Sequence, residues 1–133
     1  MKPTRIVFML IALLLPLPLF ASDISEQYFD LREKEIRQFT FDLFTAREYY
    51  RAITEAKRYA SLFPEGEHAG EMAKLIGDAY LMSHEWAEAI SAYDDFLMRF
   101  PASPQTNAVI FHKAICLIKQ GGTGEAERLF QLI

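Results

Sequence analysis

Gly70–Ser103 reads GEMAKLIGDAYLMSHEWAEAISAYDDFLMRFPAS. Its apolar residues recur at threes and fours on both sides of a break near Ser83, the spacing of two helices folded back on each other. Small residues, Gly77 and Ala89, fall where those helices would touch. The segment is not unique in the chain. Ala46–Pro64, AREYYRAITEAKRYASLFP, aligns without a gap on Ser83–Pro101, SHEWAEAISAYDDFLMRFP. Glu48 then matches Glu85, Tyr49 Trp86, Ala52 Ala89, Ile53 Ile90, and Phe63-Pro64 matches Phe100-Pro101. The two prolines stand 37 residues apart, an interval typical of helical-hairpin repeats. One interval further on, Ala126 follows Ala89 and Phe130 follows Tyr93, while Gly122-Thr123 replaces Glu85-Trp86.

These copies predict an all-α fold, an α-α superhelix of stacked antiparallel helical hairpins. About two and a half repeats are expected, at residues 33–66, 70–103 and an incomplete 107–133. Two helices approach to about 8–10 Å only when the contact side chains are compact. Gly77 and Ala89 supply that closeness, with Tyr80, Trp86 and Tyr93 filling the space beside them. A single hairpin cannot bury its own apolar face, so each copy depends on its neighbour. Capping boxes are expected at Asp23–Glu26 and Thr45–Glu48, and a helix start at Ser103-Pro104. On the first helix, Phe29, Ile36, Phe39 and Leu43 are expected on the buried face. The third copy stops before its Phe-Pro closure, which leaves two readings: a short protein that pairs through this end, or a fragment.

At Gly77, Tyr80, Ala89, Tyr93 and Pro101 the chain resembles the tetratricopeptide repeat (TPR) family. Ala73 stands where that family usually has a large aromatic residue, and Phe96 where it has a small one. In the first copy Thr40 replaces the glycine and Leu43 the tyrosine. The longer repeat and the Phe-Pro closures look like a bacterial subtype found in cell-envelope proteins linked to Tol-Pal function and outer-membrane protein assembly. The resemblance implies a concave face lined by the first helix of each hairpin. By family position it would carry Lys34, Arg37, Phe41 and Phe44, then Glu71, Lys74, Asp78 and Leu81, then Phe111 and Ile115, with Ile118 and Lys119 beyond. Some family members clamp a C-terminal carboxylate with lysine and, one turn on, asparagine. Here Asp78 follows Lys74, and its charge offsets the lysine. The Phe41, Phe44, Phe111 and Ile115 set instead implies an apolar peptide or helix as partner, unless Phe111 and Ile115 pack against a further helix.

Residues 1–22 have the parts of a secretory signal: Lys2 and Arg5, an apolar run from Ile6 to Leu15, and a cleavage point after Ala21 or Ser22. Cleavage leaves residues 23–133 as the repeat domain, periplasmic or secreted. The alternative is a retained membrane anchor, although Pro16 and Pro18 interrupt the run short of the ~20 residues that span a bilayer. The only cysteine is Cys116, in an apolar run, so neither an internal disulfide nor a lipidated amino-terminal cysteine is expected. Net charge is −4, or about −6 without Lys2 and Arg5. With no basic stripe, nucleic-acid binding is not expected.

No phosphate loop, nucleophile elbow or cysteine cluster is present. His68 with Glu71, and His84 with Glu88, provide too few ligands for zinc. No cofactor, metal or catalytic residue is therefore expected, and the chain reads as a binding protein rather than an enzyme. The partner is expected to be a protein or peptide of the envelope, met through the concave face. The other reading is a structural module that self-associates through its C-terminal apolar face.

Overall fold

The computed structural model describes residues 17–133, with side chains from Asp23 onward. Residues 1–16, most of the expected signal segment, lie outside the described residues. Among the described residues there are six helices and no strand. They are α1 (Leu17–Thr45), α2 (Tyr49–Leu62), α3 (Ala69–Met82), α4 (Trp86–Arg99), α5 (Thr106–Lys119) and α6 (Thr123–Phe130). The fold is all-α, with successive antiparallel helices packed as stacked hairpins. Second helices open at Tyr49, Trp86 and Thr123, and first helices at Ala69 and Thr106, each one 37-residue interval apart.

The turns inside the hairpins follow the same interval. Arg47, His84 and Gly121 adopt positive φ, at 63°, 62° and 88°. At each, the helix closes in a Schellman motif. The Glu48 N–H donates to the Leu43 carbonyl at 2.9 Å, Glu85 to Tyr80 at 3.0 Å and Gly122 to Leu117 at 2.8 Å. The closures between hairpins also coincide. Phe63 (φ −130°, ψ 60°) and Phe100 (φ −128°, ψ 52°) leave the helical region identically. Each is followed by proline, whose ring disfavours helical backbone at the preceding residue.

The chain divides after Lys34. In the first unit the described part of α1 is solvent-exposed at Ile24, Tyr28, Phe29 and Leu31. In the second unit, residues 35–133, three apolar clusters succeed one another. Ile36 and Leu43 of α1 join Ala52, Ala56 and Tyr59 of α2 and Met72 and Leu75 of α3. Ala73 of α3 joins Ala89, Tyr93 and Phe96 of α4 and Val109 and Cys116 of α5. Ala114 and Leu117 of α5 close on Ala126 of α6. The first helices α3 and α5 thus each contribute to two clusters, the nearest-neighbour burial on which a solenoid depends.

Size is traded across the hairpin contact. A Cβ on Gly77 would lie 2.5 Å from Tyr93 Cδ1 and 3.0 Å from its Cζ. The equivalent pair in the first repeat is Thr40 and Ala56, and in the third Ala114 and Phe130. By repeat register, a larger first-helix residue is matched with a smaller second-helix residue where the ring is absent. The same exchange accommodates Phe96, fully buried in one cluster with the small Ala73.

Four local expectations are corrected. Asp23 caps nothing: α1 is already helical from Leu17, so the amides after Asp23 are taken by carbonyls four residues earlier. Thr45 is the last residue of α1 and cannot cap the Glu48 amide, which the Schellman closure already uses, and Glu48 precedes α2 without a side-chain cap bond. The helix after Ser103-Pro104 begins at Thr106, with the Ser103 hydroxyl accepting from the Gln105 amide at 3.2 Å. Phe39 is 45 % exposed and Thr40 fully buried, so the inward stripe is Ile36, Thr40 and Leu43. Thr40 is tolerated there because its hydroxyl donates to the Ile36 carbonyl at 2.7 Å. Phe29 is also exposed, at 61 %.

Candidate partner-binding face

The first helices α1, α3 and α5 carry the residues expected to face a partner. Side-chain bonds tie these helices in sequence. Arg37 Nη1 of α1 lies 3.4 Å from Glu71 Oε2 of α3, and His68 Nδ1 lies 3.4 Å from the same oxygen. Asp78 Oδ1 of α3 lies 3.0 Å from His112 Nδ1 of α5. Both ties span 34 residues, three fewer than the repeat. Each side chain therefore reaches the neighbouring first helix one turn before its own equivalent, where i and i+3 share a face.

Asp78 is the hub. Its side chain is 18 % exposed, and Tyr93 donates its hydroxyl to Oδ1 at 2.7 Å. Lys74, one turn earlier on α3, donates to Oδ2. Burial alone would raise the carboxyl's pKa. The bonds from His112, Lys74 and Tyr93 outweigh it and hold the group below its ordinary value. Burial, then the Asp78 charge and bond, push the Tyr93 phenol far up, so it remains a donor. Cys116 lies one turn beyond His112. Burial first, offset in part by a backbone bond and reinforced by the Asp78 charge, pushes its thiol up to about 11. At neutral pH it is a protonated core residue, not a nucleophile.

The structure brings Arg37 together with Glu71, and Lys74 with Asp78. Phe41 and Phe44 are half-buried against the first cluster, and the Phe44 ring meets Tyr49 at 5.5 Å. Leu81 packs against the second cluster. Ile115 is half-buried. Phe111 is 46 % exposed and touches the Phe130 ring at 5.8 Å, and Ile118 is 43 % exposed. Lys34 is exposed in the first unit. The aromatic residues of α1 and α5 are not neighbours, since α3 is tied to both helices and stands between them. The roles of His112 and Tyr93 escaped sequence reasoning. The 34-residue offset was the available signal, visible only once the repeat register is known.

Charge on this face is largely spent internally. The cations Arg37 and Lys74 and the anions Glu71 and Asp78 are mutually paired, so a free partner carboxylate finds no vacant ammonium at Lys74. Among the described residues no group of three potential metal ligands occurs, and no helix is long and apolar enough to cross a membrane.

Comparison with curated proteins returns no match. A family model described as "YfiO: Outer membrane lipoprotein" matches residues 29–128, three quarters of the chain, covering most of α1 and the repeats to α6. On this match, and on the hairpin repeats that underlie it, the chain belongs to the YfiO family of outer membrane lipoproteins.

Proposed function

We propose that this protein is an exported, non-catalytic TPR-like scaffold. It binds a protein or peptide of the cell envelope through the face formed by its first helices and takes part in outer-membrane assembly. The family description supports the compartment. The observation that carries the binding mode is the self-paired charge ladder of α1, α3 and α5 beside exposed Phe111 and Ile118. Polar groups already satisfied within the protein gain little from a charged ligand, whereas exposed apolar side chains gain by burial, about 25 cal/mol per Å². The ligand is therefore an apolar peptide or helix.

Residues 1–22 act as the export signal, placing the repeats in the periplasm. The only cysteine in these 133 residues is Cys116, which is fully buried, so no amino-terminal cysteine here carries the lipid of the family description. Affinity capture from the envelope fraction tests the reading. The Phe111→Asp variant is expected to lose a partner that wild type and Met98→Asp both retain. Equal recovery by all three contradicts it.

A second reading is favoured by a separate observation: Leu132 and Ile133 are 69 % and 49 % exposed beyond Phe130. In that reading the C-terminal end self-associates. Sedimentation would then show dimers that Leu132→Lys abolishes while capture of the envelope partner survives.

A further inference from the structure

The internal repeat defines what each hairpin accepts from the helix that follows it. Met72, Leu75 and Ala79 form the inward stripe of α3, and one interval on Val109, His112 and Cys116 form that of α5. Met72, Ala79, Val109 and Cys116 are fully buried. Met72 and Leu75 share a cluster with Ile36 and Ala52 of the preceding hairpin, as Val109 and Cys116 do with Ala73 and Ala89. The hairpin of α5 and α6 repeats this acceptor. Ile110 follows Ile36 and Ala73 in register, and Ala126 follows Ala52 and Ala89. Here, however, Ile110 and Phe130 are only half-buried, and Phe111 and Ile118 stand exposed beside them.

The seam between first helices sets the chemistry of the neighbour. Arg37 meets Glu71, and Asp78 meets His112, each 34 residues on. Transposed to α5, the place of Arg37 is taken by Phe111 and that of Asp78 by Ile115. A glutamate or histidine on a following helix finds no partner at those positions, and desolvating it there is costly. An apolar side chain gains by the same burial. A second copy of this chain, stacked head to tail, does not supply such a helix. At the stripe positions its α1 carries Glu35, Gln38 and Asp42, all exposed, with Gln38 donating to Asp42 at 2.9 Å. Stacking that face would strip water from two carboxylates against Ile110 and Phe111.

We infer that the hairpin of α5 and α6 docks one amphipathic helix of a partner protein, seated beside α5 as a further first helix. In the register of Glu71, Met72, Leu75 and Ala79 that helix reads Leu-Met-x2-Leu-x3-Ala. Its first leucine meets Phe111, its second meets Ile115, and methionine and alanine enter the acceptor. The stripe of α3 is the template because the acceptor below it is the nearer match. Ile36 and Leu43 recur as Ile110 and Leu117, whereas the middle hairpin has Ala73 and Tyr80. This occupant is the apolar helix of the first-helix reading, on which the inference rests, now given a sequence pattern and a seat.

The test uses the full chain and fluorescein-labelled peptides, stapled on the opposite face to hold the helix, read by anisotropy. One carries Leu-Met-x2-Leu-x3-Ala, a second replaces the first leucine by glutamate, and a third carries the Glu-x2-Gln-x3-Asp stripe of α1. The first binds, and the other two bind roughly tenfold more weakly or worse. Phe111→Arg, which copies Arg37 at an exposed position, reverses the preference between the first two while its melting temperature holds. Met98→Asp changes neither. Three peptides of equal affinity, no reversal by Phe111→Arg, no binding of the first peptide at millimolar concentration, or a wild-type dimer that this peptide fails to dissociate overturns the inference. Envelope-partner capture that depends on Phe111 while the peptides fail refutes this inference and leaves the first-helix reading standing. Capture indifferent to Phe111 refutes that reading instead.

Discussion

Substituting alanine for Gly77 puts the hairpin contact under the most direct strain. In an exposed helix, glycine to alanine gains about 0.8–1 kcal/mol. Here the added methyl would lie 2.5 Å from Tyr93 Cδ1 and 3.0 Å from its Cζ, with Cε1 also in collision. The ring has little room to withdraw. Tyr93 is fully buried, and its hydroxyl is held by Asp78 at 2.7 Å. Overpacking of this kind costs about 1–3 kcal/mol, and stretching the charge-assisted hydrogen bond adds about 1 kcal/mol. The net loss is about 1–3 kcal/mol, or roughly 5–15 °C in melting temperature for a domain near 100 residues. Thermal and urea unfolding followed by circular dichroism measure it. Gly124→Ala is the control, because a methyl there meets nothing within 4 Å, and this variant should be neutral or stabilised. In the Gly77→Ala/Tyr93→Ala double variant the two losses should sum to less than their separate values, as for residues in contact. A Gly77→Ala protein as stable as wild type would refute the packing argument.

Other outcomes follow from the turns, the hub and the core. Arg47→Gly should stabilise by about 0.5–1 kcal/mol, because glycine adopts positive φ without the Cβ clash. His84→Gly should gain less, since its ring contacts Trp86 at 5.0 Å, and Gly121→Ala should lose about 1 kcal/mol. Asp78→Asn should cost about 1.5–3 kcal/mol at neutral pH by weakening charge-assisted bonds. The Asp78 pKa is depressed, so its contribution is complete above the ordinary carboxyl value of 3.8 and is lost as pH falls through the lower folded value. Acid titration of stability should therefore be shallower in Asp78→Asn than in wild type; parallel curves would exclude the hub as their source. Maleimide should leave native Cys116 unmodified and label it in denaturant, and rapid labelling of the native protein would contradict its burial.

The repeat was legible because its punctuation is chemical. Phe-Pro stops a helix by local sterics, and small residues at fixed offsets mark helix contacts, so both survive translation into sequence. The helix closures at Arg47 and His84 were less visible: neither residue advertises positive φ as Gly121 does, and the Schellman bonds are made by backbone. The compensation of Thr40 by Ala56, and of Phe96 by Ala73, depends on pairs that face each other only after folding. Phe39 misled because it fits helical spacing nearly as well as Thr40. The inward position is the register equivalent of Gly77, and Thr40 occupies it with its hydroxyl satisfied by the Ile36 carbonyl. On the candidate face, family position identified Arg37, Glu71, Lys74 and Asp78, but the pairing that neutralises them arises from neighbouring helices.

Nuclear Overhauser contacts of the Tyr93 ring test the stacked-hairpin register most directly. That ring sits where α3, α4 and α5 meet. The register predicts strong contacts from its ring protons to the Gly77 α-protons and a weaker set to the His112 imidazole, whose centre lies 6.0 Å away. A Tyr93 ring whose contacts omit Gly77 would contradict the register and the first-helix face built on it.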